Sequence, residues 1–113
     1  MKLWRPVGPK ELQLIQDSSW TKFPPRLPEQ PIFYPVCNKE YAETIAKNWN
    51  VKDSGAGYVV EFDMYDLYIK NYERHIVGGK EHEEYWIPAE ELETFNANII
   101  GKIRLVSEYL NEQ

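Results

Sequence analysis

At 113 residues, 42% hydrophobic and 27% charged, the chain has the length and balance of a single domain built on one core, with little room for a second lobe. A formal net charge of −5, with no strong cluster among the 13 Lys and Arg, argues against a nucleic-acid partner, because binding to a phosphate backbone depends on a basic face. The single cysteine, Cys37, permits no intrachain disulfide; with no basic–apolar leader and no apolar run near about 18 residues, a cytoplasmic protein without a membrane partner is expected.

In chain order, Lys2-Leu3-Trp4-Arg5-Pro6-Val7 reads as a first strand, stopped by Pro6 and Gly8. Pro9 suits the first position of a short amphipathic helix carrying Leu12, Leu14 and Ile15 and ending near Asp17-Ser18. Phe23 to Pro31 then holds four prolines in nine residues, so it must be extended, either as a fixed wall of a site or as a partner-facing polyproline segment. Ile32-Phe33-Tyr34-Pro35-Val36 is a short extended element that Pro35 pushes toward an edge. Asn38 is a candidate N-cap for a helix whose apolar stripe is Tyr41, Ala42, Ile45, Ala46 and Trp49. Asn50 through Gly57 reads as a loop.

Residues 58–64 alternate, which puts Tyr58, Val60, Phe62 and Met64 inward and Glu61 and Asp63 outward on a strand. Tyr65 to Tyr72 reads as a helical turn or two, Glu73 to Val77 as another strand, and Gly78-Gly79 as a turn. His82 to Ile87 is a strand running into a helix after Pro88 that carries Leu92 and Phe95 inward. After Gly101, Lys102 to Glu108 is a closing strand. Short strands interleaved with two or three helices, without the rhythm of a parallel sheet, predict an α+β fold with a small mixed or antiparallel sheet. The 14% aromatic content, with four Trp and eight Tyr, is expected to supply the bulk of the core and the floor of a pocket.

The chemistry-bearing residues are few. Cys37, His75 and His82 match no zinc spacing, and His82-Glu83-Glu84 lacks a second histidine one helical turn on, so no metal is expected. Cys37 precedes a helix whose dipole would lower its pKa, but nothing assigns it a base. Gly78-Gly79-Lys80 lacks the glycine and hydroxyl residue of a phosphate loop and reads as a tight turn. Arg5 either grips a phosphate or carboxylate through its two-pronged donor geometry or is stacked on Trp or paired with a surface carboxylate. In the late strand, alternation groups His82, Glu84 and Trp86 on one face and Glu83, Tyr85 and Ile87 on the other. If Trp86 faces a pocket, Glu84 is a half-buried functional carboxylate; if Tyr85 and Ile87 face the core, His82 and Glu84 are solvated.

The order of Leu3-Trp4-Arg5-Pro6, then Phe33-Tyr34-Pro35-Val36 with Tyr41-Ala42, then Glu84-Tyr85-Trp86-Ile87-Pro88 resembles small bacterial ADP-ribosyltransferase-like domains. Over nearly its whole length the chain is also similar to short bacterial proteins labelled ADP-ribosylation/crystallin J1. The resemblance implies an ADP-ribosyltransferase-like fold, NAD as substrate, and a mono-ADP-ribosyltransferase acting on a protein acceptor. It implies that Glu84 is the catalytic carboxylate facing an oxocarbenium-like centre, with Arg5 on the pyrophosphate or ribose side. Tyr34 or Tyr41 would stack on nicotinamide and His82 would bond a ribose hydroxyl, and Arg5 and Glu84 should converge on one cleft. Tyr34-Pro35-Val36-Cys37-Asn38 stands where such domains carry a Ser-Thr-Ser element, so a non-catalytic protein-interaction domain on the same scaffold is the alternative. A small-ligand carrier with an aromatic-lined pocket is a third reading.

Overall fold

A computed structural model describes residues 1–78 and 82–110. Of the Gly78-Gly79-Lys80 turn, Gly79 and Lys80 lie outside the described residues. The elements are β1 (Lys2–Val7), α1 (Pro9–Asp17), β2 (Ile32–Phe33), α2 (Lys39–Ile45), a π-helical stretch (Ala46–Asn50) leading into α3 (Val51–Ser54), and β3 (Ala56–Met64). There follow α4 (Asp66–Ile69), β4 (Arg74–Ile76), β5 (Glu83–Tyr85), β6 (Ile87–Pro88), a 3-10 turn (Ala89–Glu91) opening α5 (Leu92–Ala97), and β7 (Ile99–Leu110). The fold is α+β with antiparallel pairing between all the named strands.

Three strands in the order β1-β3-β7 form the larger sheet, while β4 pairs with β5 and β2 with β6. Val36 joins the parts: it bridges Trp4 of β1 on one side and Glu84 of β5 on the other. The N–H and C=O of Trp4 both turn to Val36, at 3.0 and 2.8 Å, away from β3. Pro6, two residues on, therefore presents its hydrogen-free nitrogen to the same outer edge, and β1 runs on to Val7 without losing a bond to β3. Pro6 does not stop the strand as expected.

The core lies on the β1 face that carries Leu3 and Val7. Phe23, Phe33, Phe62 and Phe95 meet there with ring centroids 4.9 to 6.0 Å apart, mostly edge to face, as the ring quadrupole favours. Leu12 and Ile15 of α1 join this core, whereas Leu14 is exposed. The proline-rich segment is anchored by Phe23, whose backbone N–H and C=O both bond the Asn96 amide, at 2.9 and 3.0 Å. Beyond this anchor, Leu27 of the same segment is exposed.

The opposite face of the sheet is covered too, because Val59 packs with Val36 and with Ala42 and Ala46 of the α2 helix and its continuation. That close approach needs Gly57: a Cβ there would sit 2.2 Å from the Ala46 carbonyl oxygen. The expected loop over Asn50 to Gly57 is instead helix to Ser54 followed by strand from Ala56. Gly55, at φ 81°, ends the helix in the left-handed conformation that glycine adopts without penalty. The Val51 N–H bonds the Ala46 carbonyl, five residues back, and this widened turn carries Trp49 off the apolar stripe to 70% exposure. Gly101 does not delay the last strand. At φ 70° it sits within β7, where the pairing register with β3 shifts between Glu61 and Asp63.

Candidate functional site

The late strand presents its side chains by alternation, and Tyr85 and Ile87 do face the core. The expectation that Glu84 would then be solvated fails, because α2 and the neighbouring Trp86 cover it and leave it 8% exposed. Its Oε1 accepts from the Tyr41 hydroxyl at 3.1 Å and its Oε2 from Trp86 Nε1 at 2.8 Å. Indole N–H only donates, so this bond requires an acceptor at Glu84. Burial and the adjacent Glu84 carboxylate push the Tyr41 phenol up from its ordinary value, which keeps it a donor.

Each donor ring is backed by an imidazole. His82 stacks on Tyr41 with centroids 4.4 Å apart and planes 8° from parallel, and His75 stacks on Trp86 at 3.8 Å and 5°. His75 comes to this place through the β4–β5 register, where it stands opposite Glu84. Asn38 holds the helix that supplies Tyr41, its Oδ1 accepting from the Tyr41 N–H at 3.0 Å as an N-cap.

Glu84 forms part of the wall of an open cleft of about 350 Å³, with Tyr34, Ile45, Trp49 and Asn50 around it. Tyr34, Trp49 and Trp86 leave 41, 70 and 43% of their surface exposed, so this region offers flat aromatic faces to solvent. Arg5 also contributes to the cleft wall. Its side chain, however, leaves β1 on the other face, since Trp4, Val36 and Glu84 are bridge partners and share a face from which Arg5 alternates. There Nε and Nη2 of Arg5 bond the two oxygens of Glu11 at 2.6 and 3.0 Å, and its guanidinium lies 4.5 Å from the Phe33 ring centroid. Arg5 is thus paired with Glu11 and stacked on Phe33 rather than on Trp, and its side chain leaves the sheet on the face opposite Glu84, so the expected convergence of the two side chains on one cleft is not met.

The expected site residues are thus gathered unequally. Glu84 and Tyr34 share the cleft, Tyr41 reaches it by bonding Glu84, His82 through its stack on Tyr41, and Arg5 from beneath. No family model, curated protein or solved structure matches this chain. Its chemistry must therefore be read from these side chains alone.

Cys37 is not set up as a nucleophile. Burial first, with Glu83 and Glu84 adding to it against Arg74, pushes its thiol up to about 11, opposite in direction to the expected lowering. Sequence reasoning weighed His75 only as a metal ligand and missed its place beside Trp86, which lies eleven residues on and meets it through strand register. It also placed Trp49 in the core, because a strict 3.6-residue stripe cannot anticipate a π turn.

Proposed function

We propose that the Glu84 cleft binds NAD and that Glu84 is the carboxylate for transfer of ADP-ribose to an acceptor, in a protein of the cytoplasm. One observation carries the reading: a buried carboxylate, oriented through both oxygens, stands in the wall of a cleft that also presents Tyr34 and Trp49. Exposed aromatic faces suit the nicotinamide ring. Breaking the bond between the ribose C1′ and the nicotinamide nitrogen leaves positive charge on the ribose, and nicotinamide departs with the bonding electrons. Glu84, itself buried in the wall of the open cleft, would stabilise that charge, and the acceptor's nucleophile would then close on C1′ and give up its proton to water. Tyr41 and Trp86 hold the carboxylate in place while this happens. No helix among the described residues is long and apolar enough to cross a membrane.

A second reading, a non-catalytic protein-interaction domain, is favoured by the ion pair between Arg5 and Glu11, which already occupies the expected pyrophosphate-binding arginine. The two readings separate in one experiment. NAD is titrated into wild type and Glu84→Gln while tryptophan emission is followed, and nicotinamide release is quantified by chromatography. The transferase reading expects saturable quenching in both proteins and release slowed about 100-fold or more in Glu84→Gln, the usual scale for losing one preorganised charge-stabilising group. Absence of any response to millimolar NAD in the wild type would reject it and leave the interaction domain.

A further inference from the structure

Arg26, in the proline-rich segment, is a guanidinium without a counter-charge. The other arginines are all matched: Arg5 with Glu11, Arg74 with Tyr85 and Glu83, and Arg104 with Glu61 and Asp63. Arg26 makes no hydrogen bond or ion pair among the described residues, and its buried Nε has no partner. Its guanidinium stands 5.9 Å from the centroid of the same Phe33 ring that Arg5 covers. Burial and the positive charge of Arg5 both act against the Arg26 cation, opposed by Glu11 and Tyr34. Glu11 makes no hydrogen bond to it here, its two oxygens facing the Nε and Nη2 of Arg5 instead.

Arg26 opens onto a cavity of about 530 Å³ between α1 and the proline-rich segment, a volume within the usual range of ligand sites. Lys10 adds a second cation to its lining, Glu11 is neutralised by Arg5, and Asp53 of α3 brings one carboxylate. Asn50 lines both this cavity and the Glu84 cleft, and its buried Oδ1 also lacks a partner. The two spaces therefore meet at a polar side chain with unmet hydrogen-bonding capacity.

We propose that this cavity is a phosphate subsite anchored by Arg26, and that it takes the phosphate-bearing part of the molecule whose ring lies in the Glu84 cleft. The first half of this inference stands on Arg26 alone; the second rests on the reading of the cleft as a nucleotide site. An entering phosphate supplies the anion that Arg26 lacks and accepts from the guanidinium edge in the bidentate geometry that arginine favours. Lys10 contributes a further positive charge, and Asn50 meets a hydroxyl where the two spaces join.

The test is calorimetric titration of inorganic pyrophosphate and, separately, of NAD into wild type, Arg26→Met and Lys102→Met. Lys102→Met makes the same change in net charge away from the cavity. Saturable pyrophosphate binding by the wild type that weakens at least about tenfold in Arg26→Met and not in Lys102→Met is the expected result, as loss of a charge-assisted pair predicts. NAD affinity should fall in parallel. Should Arg26→Met fail to fold, Arg26→Gln reads the same loss. Failure of the wild type to bind pyrophosphate, or equal binding by the Arg26 variants, overturns the subsite. Pyrophosphate binding that depends on Arg26 without any NAD binding upholds the subsite and rejects the NAD reading. NAD affinity indifferent to Arg26, with pyrophosphate binding lost, assigns the cavity to a separate free phosphate and overturns the link between the two spaces.

Discussion

Glu84 owes its orientation to two donors from different parts of the chain, Tyr41 on α2 and Trp86 just beyond β5. Removing one of them should therefore unsettle the carboxylate without emptying the site. In Tyr41→Phe the ring and its stack with His82 remain, and only the hydroxyl bond to a buried charged group is lost. A destabilisation of about 1.5–3 kcal/mol is expected, read as a shift of the urea midpoint at unchanged slope. A shift under a few tenths would mean that water replaces the hydroxyl and that Tyr41 does not secure Glu84. At this scale the sequence was partly legible. Alternation correctly separated Glu84 from Tyr85, but burial of Glu84 depends on a helix more than forty residues earlier packing over it, a long-range contact that leaves no local trace. The unpaired state of Arg26 was equally hidden, since it depends on how the proline-rich segment lies against α1 and Phe33.

Among the elements, β3 shows how tightly the second face is packed. Gly57 lies where a methyl group would fall 2.2 Å from a backbone oxygen and 2.8 Å from its carbon, and neither atom can swing aside as a flexible side chain would. Gly57→Ala must push the helix away from the sheet, so a loss of about 3 kcal/mol, at the upper end of overpacking costs, is expected in chemical denaturation. A near-neutral result would show that the helix yields easily. The boundaries that the sequence misplaced share a cause. A helix read by a fixed period ends where its apolar stripe ends, yet here a π turn re-phases the helix and Gly55 stops it four residues beyond Asn50. Similarly, β7 continues through Gly101 because its bulges absorb extra residues opposite β3, and glycine was taken for a terminator. The strands with clean alternation, β1 and β3, were legible because each period-2 pattern meets a buried face, and β3 meets two.

Across the whole molecule, the phenols and the thiol tie stability to alkaline pH. Burial is the first cause pushing up Tyr41, Tyr68, Tyr72 and Tyr109, and it moves Cys37 up to about 11. Each of these groups holds its proton more tightly folded than unfolded. Their contribution is complete below the unfolded values, about 8.5 for a thiol and about 10 for a phenol, and is lost as pH rises through the folded ones. The melting temperature should accordingly hold level to about pH 8.5 and then fall steadily. Ionisation of these four phenols, read by a residue-resolved probe, would accompany unfolding rather than precede it. A melting temperature still level at pH 11 would contradict the burial of these groups. The α+β class was legible as a whole because strand and helix periods alternate irregularly along the chain. The joining of the sheet through Val36 was not, since one residue with two bridges is too short a signal for any pattern.

The π-helical stretch makes the rim of the cleft sensitive to chain length. Because one residue is about 100° of helix rotation, deleting a single residue between Ala46 and Asn50 would let the turn close into ordinary α-helix and swing the Trp49 position off the rim. Chains of this design that differ by one residue here would keep the scaffold and exchange one wall of the cleft for another, so that a length change, with no substitution at all, would redraw what the cleft accepts.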